Sequence, residues 1–326
     1  MTRRLMAVPI LLLTAASAAF AEPGTTEFQT IGDKAIDRTT QTEDIKFRDD
    51  GYDRMTVPVR LQGTGPYRFL VDTGADRTAI SSDLATRLKL YTGDQLQLHS
   101  VGKVATVSTA SITALRLTRR EVRVDDAAVL ESRDMGADGI LGVDSLSSER
   151  VLFDFEGQTM SIVPSSNREN FDRNEIVITA RRRNGRLVLT QARANDRPVA
   201  VVLDTGAQIS VGNAALRKQL VGNRAVDPNS MIQLTTVTGE IINGECVFID
   251  RLKLGDVDLK NVGVVFADAP AFKKLDLEKK PAMLLGMNAM RAFDRISIDF
   301  STKKVRFVLP GTSMREPVRL AAAGSI

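Results

Sequence analysis

Apolar residues along this chain gather in short runs, some alternating with polar ones and some continuous, and seldom fall at helical spacing. Residues 55–62 alternate weakly, a Gly63-Thr64-Gly65 turn follows, and residues 67–71 run apolar into Asp72. The same order returns later: residues 187–194, an Asn195-Asp196 turn, then residues 199–203 leading into Asp204. Each passage predicts a strand, a tight turn and a second strand. Leu84 and Leu88, four residues apart, predict a short helix after the first Asp, and Leu216 and Leu220 predict one after the second. Residues 96–130 and 231–266 read as further strands. Residues 153–163 and 296–308 read as hairpins around Glu156-Gly157 and Ser301-Thr302. The fold class is therefore all-β.

The pattern is also a repeat. Phe69-Leu70-Val71-Asp72-Thr73-Gly74-Ala75 is answered by Val201-Val202-Leu203-Asp204-Thr205-Gly206-Ala207, the two Asp lying 132 residues apart. Without gaps, Met55 pairs with Leu187, Pro66 with Pro198, Thr78 with Ser210, Leu84 with Leu216 and Leu88 with Leu220. Further on, Leu96-Gln97-Leu98 matches Ile232-Gln233-Leu234, and Gly139-Ile140-Leu141-Gly142 matches Met283-Leu284-Leu285-Gly286. Leu152-Phe153-Asp154-Phe155 matches Ser297-Ile298-Asp299-Phe300. This order identifies a tandem duplication, with lobes at 44–165 and 175–310. Residues 22–43 read as a flexible N-terminal segment, 166–174 as a polar linker and 311–326 as a mobile tail.

Composition narrows the chemistry. The 326 residues are 43% hydrophobic and 26% charged, as expected of a globular chain and against disorder or coiled coil. One His, one Cys and no Trp leave little for a Ser-His-Asp or Cys-His triad beyond His99, and little for a zinc site. Activity is thus expected from carboxylates, hydroxyls or backbone. Arg3 and Arg4, the apolar residues 5–18 and the Ala19-Phe20-Ala21 site read as a cleaved signal peptide over 1–21. Its removal takes the formal charge from +4 to about +2, so the basic balance does not point to nucleic acid. A lone Cys246 cannot close an internal disulfide, and no N-x-Ser/Thr sequon occurs, so an exported protein of the bacterial periplasm is the expectation.

An apolar strand followed by Asp-Thr-Gly delivers a carboxylate rigidly and then turns the chain sharply. Two such motifs in duplicated halves place two carboxylates face to face across the lobe interface. Like charges that close share one proton and titrate as a unit.

In these motifs the chain resembles the aspartic proteases, in their retropepsin-like branch. Asp72-Thr73-Gly74-Ala75-Asp76-Arg77-Thr78 is similar to that family's catalytic signature, and Ile140-Leu141-Gly142 and Leu284-Leu285-Gly286 are similar to its second one. The resemblance covers about residues 44–310, and bacterial exported members are the nearest match. It implies a duplicated retropepsin/pepsin-like acid-protease barrel, two lobes with the active-site cleft between them. It further implies that Asp72 and Asp204 hold a water as general base and general acid, without metal or cofactor. Thr73 and Thr205 would cross-bond between lobes, Gly74 and Gly206 would keep substrate close to the backbone, and Gly142 and Gly286 would pack behind the loops. Flaps are expected at Ser100-Val101-Gly102 and Val237-Thr238-Gly239-Glu240, on position and glycine alone. The expected substrate is an extended polypeptide of an exported or membrane protein, cut by a monomer that binds no nucleic acid. Ala75 and Ala207 stand where many acid-acting relatives carry a hydroxyl, which predicts activity at weakly acidic to near-neutral pH. A peptide-binding regulator that keeps the cleft without turnover is the alternative, and autoproteolytic removal of 22–43 a third reading.

The other polar residues read as structural. His99 matches Thr235 in the repeat and reads as a strand or flap-base residue. Arg181, Arg182, Arg183 and Arg186 read as a solvated hairpin face around Asn184-Gly185. Cys246 reads as a strand residue, residues 283–290 as core around Gly286, and Asp154 and Asp299 as matched strand positions.

Overall fold

The computed structural model describes residues 55–99, 104–117, 121–166, 175–267 and 269–310, with the backbone of the short strands Phe28–Gln29, Asp44–Lys46 and Arg48–Asp49. The segments read as signal peptide and tail, and almost all of the linker, lie outside the described residues.

The alternating strands of the N-terminal half close on themselves. Met55–Leu61 pairs with Thr64–Val71 through a Gln62-Gly63 turn, both residues at positive φ. This is one step tighter than the expected glycine turn, because Thr64 already bonds into the ladder. Thr64–Val71 then runs parallel to Gly139–Leu141, which pairs with Ala79–Ser81, then Glu121–Leu130, then Val104–Arg116. Val104–Arg116 returns to Met55–Leu61, so the ring of six strands has no open edge.

The second half repeats the ring. Arg186–Ala194, Arg197–Leu203, Ala282–Leu285, Ser210–Gly212, Val257–Phe266 and Ile241–Leu254 pair in that order, and the last returns to the first. Its first turn, Asn195-Asp196, has positive φ at both residues, the hairpin geometry that follows strand twist. The expected helices form at Ser82–Arg87 and Ala214–Val221. Ser81 and Asn213, at matching repeat positions, cap them by accepting the amides of Leu84 and Leu216 at 3.1 and 2.8 Å.

The closing hairpins do not stay with their own halves. Glu149–Asp154 pairs with Thr159–Pro164 on one side and with Arg295–Asp299 of the other half on the other. Asp44–Lys46, Lys304–Val308 and Ile176–Thr179 complete a six-stranded sheet shared by both lobes. Asp154 and Asp299 are structural in it. Their carboxylates accept the turn amides of Gly157 and Thr302 at 2.7 and 2.8 Å. Above this sheet one continuous apolar core fills both rings, including Phe69, Phe153, Met283, Phe293 and Phe307. Two smaller clusters lie on the opposite face of the Asp-bearing strands, one around Leu70 and Ile140 and the other around Val202 and Leu284.

Because the sheet spans the halves, unfolding is expected as one transition rather than one per lobe. Phe153→Ala, at a fully buried position opposite Ile296, is expected to lower stability by about 3–5 kcal/mol. Urea unfolding followed by two probes, one in each lobe, checks both, and separate transitions would show independent lobes.

Candidate active site

Each Asp is carried by a strand apolar on both faces. Phe69 and Val71 point into the main core while Leu70 points into the smaller cluster, and Val201, Leu203 and Val202 repeat this. A strand held on two sides cannot slip, so the residue after it is fixed. The parallel neighbours end level with it: Asp72 N–H donates to Leu141 O and Asp204 N–H to Leu285 O, both at 3.0 Å. Those neighbours run on into Gly142 and Gly286. A Cβ at Gly286 would stand 2.6 Å from the Ile209 carbonyl carbon, and one at Gly142 would overlap the Arg77 backbone. The expected packing of both glycines behind the motif loops is thus a backbone-on-backbone contact that only glycine allows.

The two motifs bind each other. Thr73 Oγ1 donates to Leu203 O at 2.9 Å and accepts Thr205 N–H at 3.2 Å. Reciprocally, Thr205 Oγ1 donates to Val71 O at 2.7 Å and accepts Thr73 N–H at 3.0 Å. Both threonines are buried. Every hydroxyl here therefore uses donor and acceptor across the lobe boundary, next to the residue preceding each Asp.

Gly74 N–H donates to Asp72 Oδ1 at 2.8 Å and Gly206 N–H to Asp204 Oδ1 at 3.1 Å, which fixes each carboxyl from below. The glycines have a second duty that the sequence reading assigned elsewhere. A Cβ at Gly74 would lie 2.5 Å from the Asp204 carboxyl carbon, and a Cβ at Gly206 would collide with the Asp72 carboxyl. The missing side chain of each motif makes room for the acid of the other.

Each carboxyl packs against the other motif's glycine, so the two acids face each other across the lobe boundary. Asp204 is buried, and Asp72 keeps partial exposure on the open side, although protein surrounds both closely. Burial pushes both acids above the ordinary carboxylate range, and the neighbouring Asp72 charge pushes Asp204 further, up to about 8. The pair titrates as a unit, so this is its upper ionisation. The Arg186 guanidinium opposes the rise at both acids, and the motif-loop amides add to that opposition. Burial is therefore the leading cause of the raised range.

Sequence reasoning missed the supports behind the loops. Asp144 accepts Thr78 N–H at 2.9 Å and Thr78 Oγ1 at 2.8 Å, and Thr78 Oγ1 accepts Gly142 N–H at 3.2 Å. In the other half Asn288 accepts Ser210 N–H and Ser210 Oγ, both at 2.9 Å, and Ser210 Oγ accepts Gly286 N–H at 3.0 Å. Asp144 and Asn288 each lie two residues past the second-motif glycine. That shared spacing was the available signal.

Arg186 corrects an expectation. It is not on a solvated face: it is 5% exposed and ion-paired to Asp76 of the other lobe. Arg181 and Arg182 do lie at the surface, while Arg183 is half-buried and donates to Leu275 O at 2.9 Å. His99 ends the strand Tyr91–His99 opposite Val104, as Thr235 ends Met231–Thr235 opposite Ile241. Cys246 is half-buried in Ile241–Leu254.

Val101 and Gly102 of the first candidate flap lie outside the described residues. Thr238 and Gly239 of the second form a tight turn. Thr236 Oγ1 accepts the amides of Thr238 and Glu240, and Thr236 N–H donates to Glu240 O. This turn reaches the other lobe: a Cβ at Gly239 would stand 2.6 Å from Asp134 Oδ2, and Val237 packs against the apolar cluster around Leu70.

The model of a family described as aspartyl protease matches the chain over residues 57–145 and 190–289, stretches that contain both Asp motifs and the Gly142 loop and Gly286 loop. No curated protein matched it in sequence.

The raised ionisation has a consequence for stability. Between the ordinary Asp pKa of about 3.9 and about 8 the folded pair holds a proton that the unfolded chain releases. Stability therefore falls as pH rises through that window. Asp204→Asn is expected to be more stable than wild type at about pH 8, with the difference vanishing below about pH 4. Urea unfolding as a function of pH measures it, and a wild type that gains stability over this range would show the acids to be ordinary.

Proposed function

The chain belongs to the aspartyl protease family, and from that premise we propose that it is an aspartic endopeptidase that cleaves extended polypeptide segments of exported or membrane proteins in a bacterial periplasm. The observation that carries the reading is the carboxyl pair itself, Asp72 and Asp204 facing each other across the lobe boundary, each against the other motif's glycine, with burial raising the ionisation of both. A binding module has no need of two buried acids whose proximity disfavours their ionisation.

In the singly protonated state one carboxylate takes a proton from a water as its oxygen attacks the scissile carbonyl carbon. The protonated partner gives its proton to the carbonyl oxygen. The tetrahedral intermediate then collapses. Its C–N bond breaks as the leaving nitrogen takes the proton from one acid and a hydroxyl of the intermediate returns its proton to the other, so a carboxylic acid and an amine leave and the pair is again singly protonated. No covalent enzyme intermediate forms. Thr73 and Thr205 act by holding the strand ends that carry the acids, so neither carboxyl moves between the two proton transfers. The turn of residues 236–240 supports the role of a flap from the C-terminal lobe, since it already bridges to Asp134.

The test is cleavage of a peptide library by the full chain between about pH 3 and pH 8, beside Asp72→Asn and Asp204→Asn. Wild type is expected to cleave, and each variant to lose about 10³-fold in kcat/KM. Cleavage that survives both substitutions overturns the assignment, and silence from wild type returns the fold to a peptide-binding role. Activity is expected to fall above about pH 8 as the pair loses its last proton, and an optimum below about pH 3.9 would contradict the raised ionisation.

A further inference from the structure

Arg186 opens the strand Arg186–Ala194, directly after the Asn184-Gly185 turn. Taking a guanidinium out of water costs several kcal/mol unless a counter-charge meets it, and here the counter-charge belongs to the other lobe. Arg186 Nε lies 2.8 Å from Asp76 Oδ1 without the alignment of a hydrogen bond, so the contact is an ion pair. Lys274, at the end of the helix Pro270–Lys274, reaches Asp76 Oδ2. Asp76 follows Asp72 by four residues on the same motif loop. One carboxylate of the N-terminal lobe is thus held between two cations of the C-terminal lobe, which leaves a formal surplus of one positive charge. Lys274 is a third exposed and its field is screened, whereas the Arg186 side chain is only 6% exposed.

The duplication does not repeat this arrangement. The repeat aligns Asp76 with Gln208, so the second motif loop has no acid at that position, and it aligns Arg186 with Arg54, which lies outside the described residues. Among the described residues, the ion cluster therefore stands on the side of the N-terminal motif loop.

Building on the aspartic-protease reading, we propose that Arg186 is a positioning residue for the pair: a buried cation of the C-terminal lobe that anchors the N-terminal motif loop through Asp76 and biases Asp72 and Asp204 toward their singly ionised form. Two buried acids without a nearby cation stay doubly protonated to a higher pH, and a doubly protonated pair has no base. Arg186 favours the charged form of both acids against burial. The other charged groups around the loop are engaged elsewhere. Asp144 binds Thr78 and Ser145, Arg77 pairs with Asp126 at the surface, and Arg183 donates to the Leu275 carbonyl. Asp76 itself acts in the opposite sense to Arg186, as a negative charge on the same loop.

That opposition supplies the experiment. The full chain is labelled with ¹³C at the Asp carboxyls, and the Asp72 and Asp204 signals are identified by their loss in the two Asn variants. The pair is then titrated in wild type, Arg186→Met, Arg186→Lys and Asp76→Asn. Arg186→Met is expected to raise the lower apparent pKa by about one unit or more, and Arg186→Lys to restore most of it. Asp76→Asn is expected to move it downward, because it removes the negative charge and leaves the cation. A contact that only ties the lobes together would weaken stability in Arg186→Met and Asp76→Asn alike and leave both titrations in place, and that result overturns the proposal. If Arg186→Met does not fold, the other two variants decide: a lowered value in Asp76→Asn with Arg186→Lys near wild type supports it, and an unmoved or raised value in Asp76→Asn overturns it. On a cleaved peptide, the acid limb of kcat/KM is expected to follow the same shifts. Titrations that shift as stated in a chain that cleaves nothing would separate a failure of the protease reading from a failure of this one.

Discussion

Two carboxyl groups pressed together out of water repel unless one keeps its proton, and that constraint organises the molecule around it. The hydroxyls of Thr73 and Thr205 hold the strand ends so that the acids cannot drift apart. The amides of Gly74 and Gly206 orient each carboxyl, and Arg186 offsets part of the desolvation. Each of these groups is itself buried or braced by a second layer. Asp144 and Asn288 stand behind the loops, and Asp76 with Lys274 stands behind the arginine. A pair so surrounded keeps its geometry through a proton transfer because the groups that hold it are themselves hydrogen-bonded or ion-paired.

Much of this was legible in the sequence because duplication doubles every weak signal. A single Asp-Thr-Gly after an apolar run says little, but two of them, with matching helices and matching apolar-apolar-Gly runs, locate the carboxyl pair, and the resemblance to aspartic proteases then implied the cross-bonded threonines and the packed glycines. The all-β class and each hairpin followed from alternation and turn residues. What escaped was whatever the repeat does not repeat, or whatever needs a partner remote in sequence. Arg186 sits in a run of arginines beside an Asn-Gly turn, and composition alone reads that as surface. Its burial depends on Asp76, from the other lobe, which no periodicity announces. The shared sheet was hidden for a similar reason, since local pattern shows a hairpin in each half and cannot show that Val151 pairs with Ile298. Asp144 and Asn288 differ in residue type and so did not stand out as equivalent.

Among the described residues, the two lobes depart from two-fold symmetry around the acids. Behind the acids, Thr78 with Asp144 and Ser210 with Asn288 make the same bonds with different chemistry. On the first motif loop Asp76 faces two cations, while its counterpart is Gln208. Under the protease reading, an extended chain lying across the pair would meet Asp76 on one side and Gln208 on the other.

The interlocking of Gly74 with Asp204 and of Gly206 with Asp72 also limits how a fused gene can change. After duplication the halves are free to drift apart at most positions, and Asp144 opposite Asn288 shows that they have. At these two glycines a substitution in one half is registered as damage in the other, since any added carbon intrudes on the partner's acid. Neither half can retire its motif and leave the remaining one intact. The duplicated copies are inherited as a single functional unit, although each folds its own ring of strands.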